Sequence, residues 1–375
     1  MNDYELRYEI LAITLGMKKN DKIFAVTADL KKSYLILFSA YQKMIEQDTN
    51  AFFVDKEQKE KIIASLKNTL DFYEATNRES IKQLLEKLEN NHPTSFFMLP
   101  LDYLINDSLD AIHTSGIIVY KRDEAYTLMM VDKNRFDPVN YITIAKNDLD
   151  SLSHYLFHSN KVHPFDKDLY GELNEFVFLS KEKKLSPLNI KMNKQFIGNC
   201  VFSEIEATLK TALFNCKINL FEHHPSQTTI SPKWGSIFSF HSTLEMRRRF
   251  LTALKTNNTE FNKTLDYLFE TYYLNRKNYA KKIKWKRDEK FINRLSNKND
   301  PLSKLKYFML RPFFQIEGQS KWIHYKIENA KKFRADPKTK IDFTSIQQKL
   351  EKSTPTDQIE NLTFLHSRYS FTNER

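Results

Sequence analysis

Apolar residues along the first ninety positions recur at helical spacing. Leu30, Tyr34, Leu37, Ala40, Tyr41 and Met44 fall on one face, as do Ile81, Leu84, Leu85 and Leu88, and each set predicts an amphipathic helix. Asn77 opens the second set, where its side-chain oxygen can take one of the unpaired amides of a first helical turn. The texture changes at Asn91-His92-Pro93, a turn that ends the helical pattern and marks a boundary. Beyond it, positions 113–120 (HTSGIIVY) and 125–132 (AYTLMMVD) are apolar runs of strand length around the polar Lys121-Arg122-Asp123-Glu124, which is the pattern of a hairpin. Positions 141–145 predict a third strand.

Asn147 and Asp148 offer caps for a helix carrying Leu149, Leu152, Tyr155 and Leu156. Positions 159–194 are polar and marked by prolines, with Val177-Phe178-Leu179 as a short strand. A helix over 200–214 follows, with Val201, Phe202, Ile205, Leu209, Ala212 and Leu213 on its apolar face and Asn199 at its cap. Another is expected over 242–254, after Trp234-Gly235, and from about 256 onward the chain reads as helical and basic. The pattern therefore predicts an α+β fold in which a small antiparallel sheet and the Cys200 helix form a core with helical regions on either side. Its expected divisions are 1–95, 96–255 and 256–375.

With 375 residues the chain exceeds the roughly 250 to 300 at which one hydrophobic core stops growing, which agrees with several substructures. A hydrophobic share of 41% with 13% aromatics excludes a disordered chain. The two cysteines, Cys200 and Cys216, lie on one predicted helix and its exit, a poor geometry for a bridge, so a reducing compartment is expected. The start MNDYELRYEI has neither the basic onset nor the apolar stretch of a secretory signal, and no apolar run approaches the ~18 residues of a membrane helix. A formal charge of +11 permits nucleic acid, anionic lipid or acidic protein as partner without choosing among them.

Cys200 is the residue best placed for chemistry. A helix N-terminus favours the thiolate, and Gly198 before it allows a sharp entry whose amides could hold an oxyanion. Gln195 could supply a second oxyanion donor. A base must then reach the sulfur, and His113 begins a strand. If the hairpin closes around 122 and 123, facing positions sum to 245 and His113 lies opposite Asp132. A loop one residue longer on each side shifts the sum to 247 and sets Asn134 opposite, and either residue could orient the imidazole.

These residues resemble the circularly permuted papain-like hydrolases, in which a His near a strand start and a polar orienter precede a Cys that opens a helix. Gln195-Phe-Ile-Gly-Asn-Cys-Val-Phe-Ser203 is similar to the Gly-Asn-Cys-x-aromatic helix start of cysteine-protease-like effectors secreted by intracellular bacteria. In that group a His strand and an Asn-Arg element come first, matched here by His113 and Asn134-Arg135. The resemblance covers about residues 100 to 255. It departs at Phe202, where Trp is frequent, and in the residues before His113, which are not Gly-rich.

The resemblance implies acyl transfer to Cys200 (protease, deubiquitinase-like or deamidase-type), His113 as general base and acid, Asp132 or Asn134 as orienter, and a host protein as substrate. It implies no metal or organic cofactor. It also implies a bacterial cytosolic protein exported into a host cell.

Other features have plainer readings. Cys216 reads as structural. His154 and His158 share a helix face and His163 is near, but no Glu follows His154, so a surface helix explains them. Eight of the fifteen residues 276–290 are Lys or Arg, with Tyr279 and Trp285 among them. Lys281, Lys282, Lys284, Lys286 and Arg287 form a candidate surface for an anionic or acidic partner, and a non-catalytic adaptor built on them is the alternative function.

Overall fold

The computed structural model describes residues 3–16, 30–104, 112–161, 171–193, 200–222, 229–235, 239–270, 272–273, 293–294, 297, 300–304 and 306. Two compact units divide the chain, residues 1–17 with 21–269 and residues 18–20 with 270–375. The turn at 91–93 is internal to the first unit, and all the elements named below belong to it. The basic segment at 276–290, with Lys281, Lys282, Lys284, Lys286 and Arg287, lies outside the described residues, as do Gln195, Gly198, Asn199 and His163.

Four helices come first: α1 (Asp3–Thr14), α2 (Leu30–Glu46), α3 (Lys56–Glu74) and α4 (Arg78–Glu86). The expected cap is present, since the Asn77 side chain accepts the Ser80 amide at 2.8 Å. A meander follows, with β1 (Phe97–Leu104), β2 (Ile112–Arg122), β3 (Ala125–Val131) and β4 (Val139–Ala145). A short β5 (Ser186–Pro187) completes an antiparallel sheet in the order β1-β2-β3-β4-β5. Then come α5 (Leu149–Lys161) and α6 (Gly171–Leu179), both between β4 and β5 in the chain, and α7 (Cys200–Lys217) and α8 (Ser239–Leu254). The fold is α+β.

The hairpin of β2 and β3 closes on Arg122↔Ala125, so facing positions sum to 247 rather than 245. Its two loop residues, Asp123 and Glu124, both have positive φ, at 49° and 56°. That is the turn whose twist matches paired strands, and it favours Gly or Asn. The cost here is offset from outside: the Asn91 side chain accepts the Asp123 amide at 3.0 Å and the Asn90 side chain accepts that of Glu124 at 3.2 Å.

The outer edge of the sheet at β1 is closed by α3. The Phe96 amide, just before the strand, donates to Ser65 Oγ at 3.1 Å, and the Met98 amide donates to Thr69 Oγ1 at 3.0 Å. Phe72 of the same helix stacks on Phe97 at 5.6 Å.

α7 packs against β2, β1 and β3. Gly116 permits the close approach, because a Cβ built there would lie 1.7 Å from Thr208 Oγ1. At the far end of the helix, Cys216 Sγ donates to the Pro93 carbonyl at 3.3 Å and to that of Ala212 at 3.2 Å. Burial pushes this thiol up to about 12, consistent with a structural residue.

Val177-Phe178-Leu179 is not a strand but the end of α6. Leu173 and Phe176 are buried at helical spacing while Phe178 is 70% exposed, and a strand would have alternated instead. His154 and His158 stand on α5, 6.5 Å apart and stacked, and no group able to hold a metal occurs among the described residues. No helix among them is long and apolar enough to cross a membrane.

Candidate functional site: the buried His113 and Asp132 pair and the turn it anchors

His113 and Asp132 are brought together. The Asp132 carboxylate leaves the end of β3 and its Oδ1 lies 3.0 Å from His113 Nε2, with both residues buried. The ladder of the hairpin ends at Gly116↔Val131, so His113 and Asp132 meet just beyond it and are not partners in its register. The bond uses Nε2, so Nδ1 is the ring nitrogen through which any proton transfer by His113 would pass.

Asp132 is held by more than the imidazole. The Tyr103 hydroxyl, from β1, donates to its Oδ2 at 2.9 Å, and the Tyr103 ring meets the His113 ring edge-on at 5.4 Å. Arg135 Nε lies 3.5 Å from Oδ2. The Asn134 backbone amide donates to Oδ1 at 3.0 Å, so Asn134 contributes its backbone, and its side chain is exposed. Burial opposes ionisation of Asp132, but the hydrogen bond and charge of His113, with those from Asn134 and Tyr103, hold its carboxyl below the usual range. Burial first, then the Asp132 charge, raises the Tyr103 phenol.

The turn at 132–138 is tied down almost residue by residue. The Asp132 amide donates to the Pro138 carbonyl at 2.8 Å, and the Arg135 amide to the Asp132 carbonyl at 3.3 Å. The Asn140 side chain donates to the Asp137 carbonyl at 2.7 Å. The Lys133 amide reaches across to Glu204 Oε2 on α7 at 2.9 Å, and Lys133 Nζ lies 3.7 Å from Oε1 of the same carboxylate. Glu204 is fully buried, and this burial raises its carboxyl. Phe136, at the tip, is 94% exposed.

The contacts of α7 fix its course. Thr208 packs on Gly116, and Glu204, one helical turn earlier, meets Lys133 beyond the end of β3. Cys200 opens the helix one turn earlier again, toward the end of the sheet that carries His113.

The ladder between β1 and β2 runs without interruption from Phe97↔Val119 to Leu104↔Ile112, so side chains alternate along it. Gly116 faces α7, and Thr114 shares that face, with its hydroxyl donating to Asp102. His113, three positions from Gly116, has the opposite parity along β2, yet its charge still acts on the Glu204 carboxylate of α7.

Sequence reasoning missed Tyr103, Glu204 and Phe136. Glu204 had a readable signal, because Glu204, Thr208, Thr211 and Asn215 recur at helical spacing and form a buried polar stripe. No family model, no curated protein and no solved structure matches this chain.

Proposed function

We infer that this protein acts by binding, as a non-catalytic adaptor whose α+β unit is a scaffold and whose basic segment engages an acidic partner. The observation that supports this reading is the run of eight Lys or Arg among the fifteen residues 276–290. In this reading His113 and Asp132 are a buried pair that fixes a turn. Lys281, Lys282, Lys284, Lys286 and Arg287, within a chain of net charge +11, supply the attraction.

The test uses the full chain and a variant with those five residues changed to Gln. Association with an immobilised acidic polypeptide should weaken steeply as salt rises through the range where the screening length falls to about 8 Å. It should be lost in the five-residue variant and unchanged in Cys200→Ser. Salt-insensitive association, or loss of binding in Cys200→Ser, would overturn it.

A second reading, a cysteine hydrolase with Cys200 as nucleophile and His113 as base, is favoured by one observation. The first turn of α7 and the His113 and Asp132 pair sit at the same end of the sheet. It requires Cys200 to be alkylated by iodoacetamide at about pH 6, well below an ordinary thiol pKa of about 8.5, and this reactivity to vanish in His113→Ala. Equal labelling of Cys200 in wild type and His113→Ala at that pH would refute it.

A further inference from the structure

Three buried carboxylates of the first unit have their cations: Asp48 lies against Arg249, Asp132 against His113 and Glu204 against Lys133. Where α2, α7 and α8 meet, the balance is different. Arg247 Nη2 of α8 lies 3.6 Å from Glu206 Oε2 of α7, with each side chain 14% exposed. Lys210 stands one helical turn beyond Glu206 on the same face. Burial pushes its ammonium below the usual lysine range, Glu206 opposes this, and Lys133 and Arg247 add to it. Lys133 is committed to Glu204 and Glu206 to Arg247, which leaves Lys210 without a carboxylate of its own among the described residues.

The same place holds buried polar atoms of both kinds. Tyr41 of α2 is 1% exposed, and among the described residues neither its hydroxyl nor Glu206 Oε2 has a hydrogen-bond partner. Burial first, then the Glu206 charge, raises the Tyr41 phenol, and Arg247 acts the other way, which sets the hydroxyl beside that ion pair. Buried groups of this kind are normally bonded, because an unmade hydrogen bond forfeits hydration for nothing. Three donor groups, on Tyr41, Arg247 and Lys210, thus stand with one acceptor, Glu206, and two cations stand with one carboxylate.

We propose that Tyr41, Arg247, Lys210 and Glu206 form a binding site for a phosphate group that retains a proton. Three phosphate oxygens accept from the Tyr41 hydroxyl, the Arg247 guanidinium and the Lys210 ammonium, and the fourth, while protonated, donates to Glu206. A phosphate keeps that proton up to its second ionisation, near pH 6 for a monoester at about that value, whereas sulfate has none to give. A carboxylate ligand has only two oxygens and, once ionised, is repelled by Glu206. Lys210 is half-buried, so the site opens to solvent on its side and a substituent on the phosphate has a way out. The site lies within the first unit and uses none of the basic residues at 276–290, so it goes beyond the adaptor reading and either can fail alone.

The test is isothermal titration calorimetry of the full chain at about pH 6, near the second ionisation of a monoester, with inorganic phosphate, phenyl phosphate and sulfate. A phosphate should bind at one site at least tenfold more tightly than sulfate. Tighter binding of phenyl phosphate identifies a monoester as the ligand, and tighter binding of inorganic phosphate identifies the free ion. Lys210→Met should abolish the binding and Tyr41→Phe, whose melting temperature should match the wild type, should weaken it at least threefold. Glu206→Gln should bring sulfate level with phosphate, because an amide can donate to an unprotonated oxygen, and the five-residue basic variant should bind as the wild type does. Equal affinity for phosphate and sulfate in the wild type, an adventitious ion only, would overturn the proposal. So would unchanged binding in Tyr41→Phe, or a preference for phosphate that survives Glu206→Gln.

Discussion

Gly116→Ala is the sharpest test of how α7 sits on the sheet. The added methyl would lie 1.7 Å from Thr208 Oγ1, 2.7 Å from Thr208 Cβ and 2.9 Å from Cγ2, where ordinary contact begins at 3.4 Å. Thr208 cannot swing clear, since it is fully buried and its hydroxyl donates to the Glu204 carbonyl at 2.7 Å. The helix must move off β2 by an ångström or more, breaking contact along its length. Overpacking of a core costs roughly 1 to 3 kcal/mol, and the depth of this overlap sets the expectation at the upper end, about 3 kcal/mol. That corresponds to a fall in melting temperature of about 6 °C for a unit of this size. Thermal unfolding followed by circular dichroism measures it. Adding Thr208→Ala removes two of the three clashing atoms, so the double variant should recover part of the loss. A Gly116→Ala protein within about 0.5 kcal/mol of wild type, or a double variant no better than the single, would refute the packing argument.

Other perturbations have equally definite outcomes. Asp132 has a depressed pKa in the folded state, so its contribution to stability is present above the unfolded value of about 3.9 and is lost as pH falls through the folded value. Urea unfolding from neutral to acid should therefore show wild type losing its advantage over Asp132→Asn below about pH 4, and parallel curves would contradict this. Asp48, also buried, accepts the amides of Phe52 and Phe53 at 3.1 and 2.7 Å and pairs with Arg249 at 2.8 Å. Asp48→Ala should cost roughly 2 to 3 kcal/mol in urea unfolding, because it leaves the Phe52 and Phe53 amides without their acceptor while Arg249 keeps Glu245 and Asn50, whereas the more exposed Arg248 and Glu245 pair should yield under about 1 kcal/mol on Arg248→Ala.

Much of the fold is legible in the residues. The helical stripes at 30–44 and 81–88, the cap at Asn77 and the two strands joined at Asp123 and Glu124 follow from period and punctuation alone. The register does not, because it depends on how two residues of ordinary type are made to adopt positive φ. That is accomplished by Asn90 and Asn91, some thirty positions upstream. The contact of His113 with Asp132 is readable as a pair on one face of the hairpin, but the seat of α7 on the sheet is not, and Gly116 holds that information. A lone Gly in a strand signals close approach without naming the partner. β1 went unread because the proline within its apolar run disguises a strand, and α6 because a phenylalanine at a helix end reads like a β former.

The hydroxyls of Ser65 and Thr69 have a consequence for assembly. A terminal strand normally offers its spare amides to any passing chain, and pairing of that kind is how sheets grow into fibrils. Here two helical side chains impersonate a sixth strand at Phe96 and Met98, so the β1 edge is covered at its start. Local fraying of α3 would lift that disguise from a largely apolar strand of the meander, which makes the 56–74 helix a guard against self-templated aggregation as well as part of the core.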